Sequence, residues 1–266
     1  MNKYEKRMLA ILEQGKAENG IVAVKAEFEA EGTRVDELLR LLEIARRAGV
    51  KVGLKIGGCE AMRDLIECRQ FGVDYIIAPM VETPYALSKY VAARDKVFTA
   101  EERSDIGFLF NVETRSTFDQ IKAMGELAKS EQLGMVFGRV DFAASMGHDR
   151  SFVNSDEMTG YVEQVAAIAR DGRLDLVVGG GVSPESIAPL RRVRKARLDR
   201  FETRKVIFDA GVLDGDAVEA GLALAIEFEL LWLKNKRDYY VSIGSEDEAR
   251  IRMMEARQQV KVAEAA

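Results

Sequence analysis

The sequence predicts a single-domain α/β protein, a (β/α)8 barrel of TIM type with a long C-terminal helical extension. Three observations carry this expectation. Short β-rich apolar runs alternate with longer helical patterns at regular spacing, so each helix provides a crossover and the strands run mostly parallel. No linker, low-complexity stretch or composition shift divides the 266 residues, a length such barrels reach as one unit. No Gly-rich dinucleotide fingerprint follows the first strand, which disfavours an open doubly wound sheet.

The elements read in order as an N-terminal helix over 1–19, the barrel over 20–233 and a charged helical tail over 234–266. "GIVAVKAEFE" is the first strand, followed by the helical "RVDELLRLLEIARRAG". "VKVGLKIGG", "VDYIIAPMV", "IGFLFNVET", "LGMVFGRVD" and "LDLVVGGGV" are the next five, each leading into a helical pattern. "LDRFETRKVIF" reads as the seventh strand, and no eighth is legible. Thr83-Pro84 and Ser183-Pro184 mark helix starts as N-cap plus first-turn proline, and Asp156 is the expected cap after the fifth strand. Gly49, Gly72 and Gly172 are the expected helix stops. From Asp216 to Leu233 the sequence is apolar on nearly every face. One helix packed on a barrel needs only a stripe, so a second subunit is expected to cover the rest, giving a homo-oligomer.

Composition narrows the function. The chain is 47% hydrophobic and 31% charged, enough for a sizeable core, and its net charge of -5 offers no general affinity for nucleic acid or acidic membranes. The run "RRVRKARLDR" reads as a solvated helical face. No apolar run approaches a membrane span, and the amphipathic start lacks the apolar core and cleavage site of a signal peptide. Cys59 and Cys68 read as lone thiols in a helix. A cytoplasmic protein is expected. The single histidine, His148, cannot build a His-rich zinc site, so metal chemistry falls to carboxylates; a catalytic role for His148 itself stays open.

Period-2 alternation shows which polar residues share a strand face. Lys25, Glu27 and Glu29 align on the first strand, Gly53, Lys55 and Gly57 on the second, and Leu109, Asn111 and Glu113 on the fourth. Met135, Phe137, Arg139 and Asp141 align on the fifth, and Arg200, Glu202 and Arg204 on the seventh. Charges gather at C-terminal strand ends, where barrel enzymes place their sites. Glu113 and Asp141, on successive strands, form a pair able to share a hard divalent cation, with water and substrate oxygens completing its shell. The competing role for each is an ion pair, Glu113 with Arg115 or Asp141 with Arg139. Lys55 fits an anionic substrate, a Schiff base or a counter-charge to Glu27 or Glu113. Lys25 and Glu27 read as a sealing ion pair at the barrel floor. The loop "GGGVSPES" is either an anion cradle or a tight turn.

Three motifs then appear in order: "PMVETPYAL" (Pro79 to Leu87), "NVETRSTFDQI" (Asn111 to Ile121) and "FGRVDFAASMG" (Phe137 to Gly147). Their order and spacing resemble the HpcH/HpaI aldolase/citrate lyase family over roughly residues 20–232. The resemblance implies a phosphoenolpyruvate/pyruvate-type barrel with Glu113 and Asp141 as ligands of Mg²⁺ or Mn²⁺. It aligns Lys55 with the family arginine that binds the keto-acid carboxylate. It also brings Met80 and the backbone from Gly138 to Asp141 over that carboxylate. Departures are visible. Gly-Arg-Val-Asp (138–141) replaces Gly-Pro-x-Asp, lysine loses the bidentate fork of arginine, and the first strand lacks the family's catalytic histidine. Arg139 is therefore expected to bind a second anionic group of the substrate, with Glu202 and Arg204 as further contacts and Glu27 or Glu202 as the base. The implied activity is a metal-dependent carbon–carbon lyase or aldolase acting on a keto or hydroxy acid. The alternatives are an acyl-CoA lyase or thioesterase of the citrate lyase kind, and a non-catalytic small-acid-binding barrel.

Overall fold

Strands such as Tyr75–Ala78 and Leu176–Gly179 are apolar on both faces, a pattern that buries fully only in a sheet covered on both sides. The computed structural model, which describes residues 1–264, closes eight strands into one barrel in sequence order. The first half comprises α1 (Lys3–Glu18), β1 (Ile21–Glu27), α2 (Val35–Ala48), β2 (Lys51–Lys55), α3 (Met62–Phe71), β3 (Tyr75–Ala78), α4 (Pro84–Val97), α5 (Ala100–Asp105) and β4 (Gly107–Val112). The second comprises α6 (Arg115–Asp119), α7 (Ile121–Glu131), β5 (Gly134–Gly138), α8 (Arg139–Ser145), α9 (Asp156–Gly172), β6 (Leu176–Gly179), α10 (Ile187–Arg194), β7 (Arg200–Glu202), β8 (Val206–Asp209) and α11 (Ala217–Glu264). Ala23, Ile77, Leu109, Val136, Val177 and Ile207 fill the barrel interior above Tyr75. At the strand starts Arg200 and Lys51 lie over the Tyr75 ring and close the floor. A larger apolar layer, including Val24, Leu54, Phe110, Phe137 and Phe208, joins the outer strand faces to the helices.

The eighth strand differs from the expectation. "LDRFETRKVIF" is not one strand but a hairpin, and β8 runs antiparallel to both β7 and β1. Only Thr203–Lys205 separate the two strands, far fewer residues than a parallel crossover requires, so the chain must reverse. The hairpin tip consequently lies at the mouth of the barrel beside Glu202, and the end of β8 lies at the floor.

Two capping expectations shift by one residue. Ser155, not Asp156, caps α9, and its C-cap is Arg173 in the left-handed region rather than Gly172. Thr83 caps α4, and Gly49 and Gly72 end their helices as expected. Cys68 lies within α3, but Cys59 precedes it in the loop after β2.

The expected boundary at residue 234 falls within one helix, since α11 is continuous from Ala217 to Glu264; residues 265–266 lie outside the described part. Asn19 binds the start of α11 and Asn2 binds Asn235, so α11 runs antiparallel along α1 toward the mouth side. Val218, Leu222, Ala225, Phe228 and Trp232 form the buried stripe, while Ile226 and Leu233 are each 61% exposed. Tyr240 donates to Glu37 as the last anchor, and residues 241–259 are exposed throughout. Among the described residues no helix is long and apolar enough to cross a membrane.

Candidate active site

The inward residues of β1 and β2 carry their charges to the mouth, as alternation requires. Lys25 Nζ lies 2.5 Å from Glu202 Oε1 and 3.2 Å from Glu27 Oε1. It is therefore not a seal at the floor: it sits two residues below the end of β1, directly beneath the mouth. Burial opposes its charge, but Glu202 and Glu27 outweigh burial and hold its ammonium well above the ordinary lysine range.

Lys55 Nζ lies 3.1 Å from Glu29 and 3.5 Å from Glu113. Burial again works against the cation, and the carboxylates of Glu113 and Glu29 more than reverse it, so Lys55 stays protonated. A charged amine is a poor nucleophile, which disfavours the Schiff-base option.

Glu113 directly follows β4 and is 1% exposed. Its Oε1 accepts from Met80 N–H at 2.9 Å, and its Oε2 accepts from Asn111 Nδ2 at 2.6 Å. Burial pushes its carboxyl above the usual range; Lys55, Met80 and Asn111 oppose that only in part, and the nearby charge of Asp141 adds to it. Neither competing ion pair forms, since Arg115 binds Asp119 and Arg139 binds no carboxylate among the described residues. Gly138 has a positional reason to be glycine: a Cβ there would stand 3.0 Å from Glu113 Cβ and 3.1 Å from Oε2. Asp141 stands exposed in the first turn of α8.

Alternation carried one residue past β5 predicts Arg139 at the mouth, but β5 ends at Gly138 and Arg139 opens a helix. Met135 and Phe137 also face the outer layer, leaving Val136 inward. Arg139 is 2% exposed and reaches Gly179 O, Asn154 Oδ1 and Ser186 Oγ, between β6 and the surrounding helices. Burial pulls its guanidinium down to about 10, so it remains a cation at neutral pH. It holds scaffold, not substrate.

Of the two readings of the loop after β6, the geometry at its centre matches the tight turn. Gly180 adopts φ +80°, and a Cβ on it would meet the backbone nitrogens of Val140 and Arg139 at 2.7 and 2.8 Å. It is a close packing turn against α8. His148 is exposed and stacks on Phe152.

The hairpin tip supplies groups that sequence reasoning placed differently or missed. Arg204 points outward to Glu31 at 2.9 Å, and buried Lys205 bonds the same carboxylate. Glu229 of α11 accepts from Thr203 Oγ1 and Lys205 N–H, fixing the turn from behind. Only the charged "ETRK" between two apolar runs hinted at this arrangement. Burial alone would raise the Glu31 carboxyl, but Lys205 and Arg204 outweigh it and hold it below the ordinary range. A depressed folded-state value stabilises the fold above the ordinary glutamate pKa and loses that contribution as pH falls through the depressed value. Wild type should therefore exceed Glu31→Gln in Tm at neutral pH, and the gap should close in acid. A gap independent of pH in thermal melts would remove the charge from this explanation.

The profile of the HpcH/HpaI aldolase/citrate lyase family matches residues 20–186, which span β1 to the loop after β6 and include all three motifs. The chain belongs to this family. Solved structures agree with the fold. A HpcH/HpaI aldolase/citrate lyase family protein from Burkholderia cenocepacia J2315 superposes with a TM-score of 0.61 at 13% identity, covering 75% of this chain and 82% of that one. A HpcH/HpaI aldolase from Desulfitobacterium hafniense DCB-2 gives 0.60 at 13% identity, covering 76% and 82%. A variant of the citrate synthase SbnG gives 0.53 at 16% identity, covering 74% and 81%. No curated protein matches the chain in sequence.

Within this aldolase and lyase family, the donor set of the present mouth can be tested for a metal. Among the described residues no three His, Cys, Asp or Glu side chains converge as a ready-made cage. Two carboxylates are nevertheless enough for a hard cation that keeps several waters. Asn111 Oδ1 is a buried acceptor with no donor beside Glu113, so the oxygen-rich set is incompletely satisfied by protein. The charges point the same way. Among the described residues, the carboxylates Glu27, Glu29, Glu31, Glu113, Asp141 and Glu202 outnumber the cations Lys25, Lys55, Arg204 and Lys205 beside them, leaving an excess of negative charge. The residues fit a divalent cation.

Proposed function

We propose that the protein is a cytoplasmic, Mg²⁺- or Mn²⁺-dependent carbon–carbon lyase or aldolase that cleaves or forms a keto or hydroxy acid through a pyruvate-type enolate. The carrying observation is the carboxylate excess at the mouth, with buried Glu113 beside Asp141 and next to the fixed ammonium of Lys55. Glu113 and Asp141 would hold the ion, which supplies Lewis-acid stabilisation of developing enolate charge when bound. Lys55 provides a permanent positive charge for the substrate carboxylate. Glu202 is bound tightly by Lys25, whereas Glu27 is held at 3.2 Å and keeps more of its lone pairs free. Glu27 is thus the better base: it takes the proton of the hydroxyl at C4, the C3–C4 bond breaks toward C3, and the same proton returns to C3.

The acyl-CoA alternative is less well supported. Arg191, Arg192, Arg194 and Arg197 of the basic run are engaged by Leu213 O, Glu163, Asp214 and Asp199 respectively. The reversed β8 also removes its βα loop from the mouth, where barrels often bind phosphate. The test is cleavage of a 4-hydroxy-2-oxo acid with release of pyruvate, lost on chelation and restored by Mn²⁺. Activity unaffected by exhaustive chelation would defeat the metal part of the proposal.

We also propose that a second copy covers the exposed apolar side of α11. Light scattering should then give an oligomer, and replacing Leu230 and Leu233 with polar residues should shift it toward monomer. A monomeric wild type at micromolar concentration would contradict this.

A further inference from the structure

Among the described residues, three that are not glycine have positive φ: Met80 (50°), Gln132 (56°) and Arg173 (57°). Gln132 and Arg173 are helix C-caps, where the left-handed region is ordinary. Met80 caps nothing. It lies between β3 and α4 in a segment clamped on both sides. Buried Pro79 precedes it; Thr117 Oγ1 donates to Val81 O, Gln120 Nε2 donates to Glu82 O, and Thr83 caps α4. An unbranched side chain without a local polar group gains nothing from this backbone, which costs free energy and persists only where surrounding structure enforces it.

The turn aims one group at the site, the Met80 N–H, 2.9 Å from Glu113 Oε1. Met80 is left 47% exposed, so side-chain burial does not explain the conformation. We propose that Met80 is a positioning residue, its enforced left-handed backbone locking the Glu113 carboxylate in one orientation. This rests on the reading of Glu113 as a functional carboxylate and names what holds it in place. With Asn111 on the other oxygen, Glu113 is fixed from two directions while its Oε2 stays within 3.5 Å of Lys55 Nζ.

Glycine and asparagine separate backbone from side chain. Glycine frees φ, whereas asparagine tolerates the left-handed region and so keeps the N–H aimed. In Met80→Gly, Tm should stay the same or rise, while exchange of the residue-80 amide in metal-free protein should quicken about tenfold. Calorimetric Mn²⁺ affinity should fall by about tenfold, the scale expected when a group orienting a ligand is loosened. Met80→Asn should stay within about twofold of wild type on both measures. Loss of metal affinity without loss of stability is the signature, since a purely structural residue moves them together. Slow amide exchange or unchanged Mn²⁺ affinity in the glycine variant overturns the proposal. If wild type binds no Mn²⁺, the metal reading fails, and amide exchange still decides the role of Met80.

Discussion

Glu113→Gln should lower lyase turnover about a thousandfold, the loss typical when a group stabilising transition-state charge is removed. The substitution keeps shape and changes only chemistry. All three polar neighbours of this carboxylate are donors: Met80 N–H, Asn111 Nδ2 and Lys55 Nζ. A glutamine presents its own NH₂ to one side or the other, so either rotamer sets a donor against a donor. It also supplies no charge for a cation and leaves Lys55 dependent on Glu29 alone. Asp141→Asn should produce a similar loss with less effect on stability, because Asp141 is exposed. Steady-state kinetics with Mn²⁺ titration, beside circular dichroism to verify the fold, measure both. Tight Mn²⁺ binding that survives the two changes would show that the ion is held elsewhere.

The second large effect is on stability. Arg139→Met should destabilise the fold by about 3 kcal/mol, since several buried acceptors lose a charged donor at once. Methionine can replace the aliphatic stem among Val153, Met158, Val162 and Leu190, so the loss reports the guanidinium rather than a void. Gly179 O and the side chains of Asn154 and Ser186 would each be left short of a bond. Denaturant unfolding gives the free energy, and KM for the cleaved acid should change little. A raised KM with unchanged stability would return Arg139 to the substrate.

What could be read in the sequence depended on where strands end. Lys25, Glu27, Lys55, Asn111 and Glu202 lie within strands, so a period of two placed them correctly on the inner face. Arg139 lies one residue past β5, where the period becomes helical and extrapolation turns the side chain to the wrong wall. The apolar part of β5 gave no warning, because parallel strands of a barrel are apolar on both faces. The reversal within "ETRK" was missed because it lacks the glycine or asparagine that usually marks a two-residue hairpin. The conformation of Met80 leaves no trace in its residue type; tertiary clamps impose it. Alternation and the family motifs both pointed to Glu113 and Asp141, although Glu113 lies one residue past β4 and Asp141 lies in α8 rather than on a strand.

The reversed last strand also bears on how the chain folds. In an all-parallel barrel, the final strand reaches its place only after a helical crossover has formed. Here β7 and β8 are joined by three residues, and a hairpin of this kind forms in about 1–10 μs. The remaining seam joins β8 to β1, pairing Val206 with Val24 and Phe208 with Ile21 across most of the chain. Such long-range pairing is where loop-closure entropy accumulates and contact order slows folding. Ring closure thus requires seating a short local ribbon, rather than a strand delivered by a helical crossover, on the first strand. In the folded chain, Glu229 of the C-terminal helix holds that ribbon's tip.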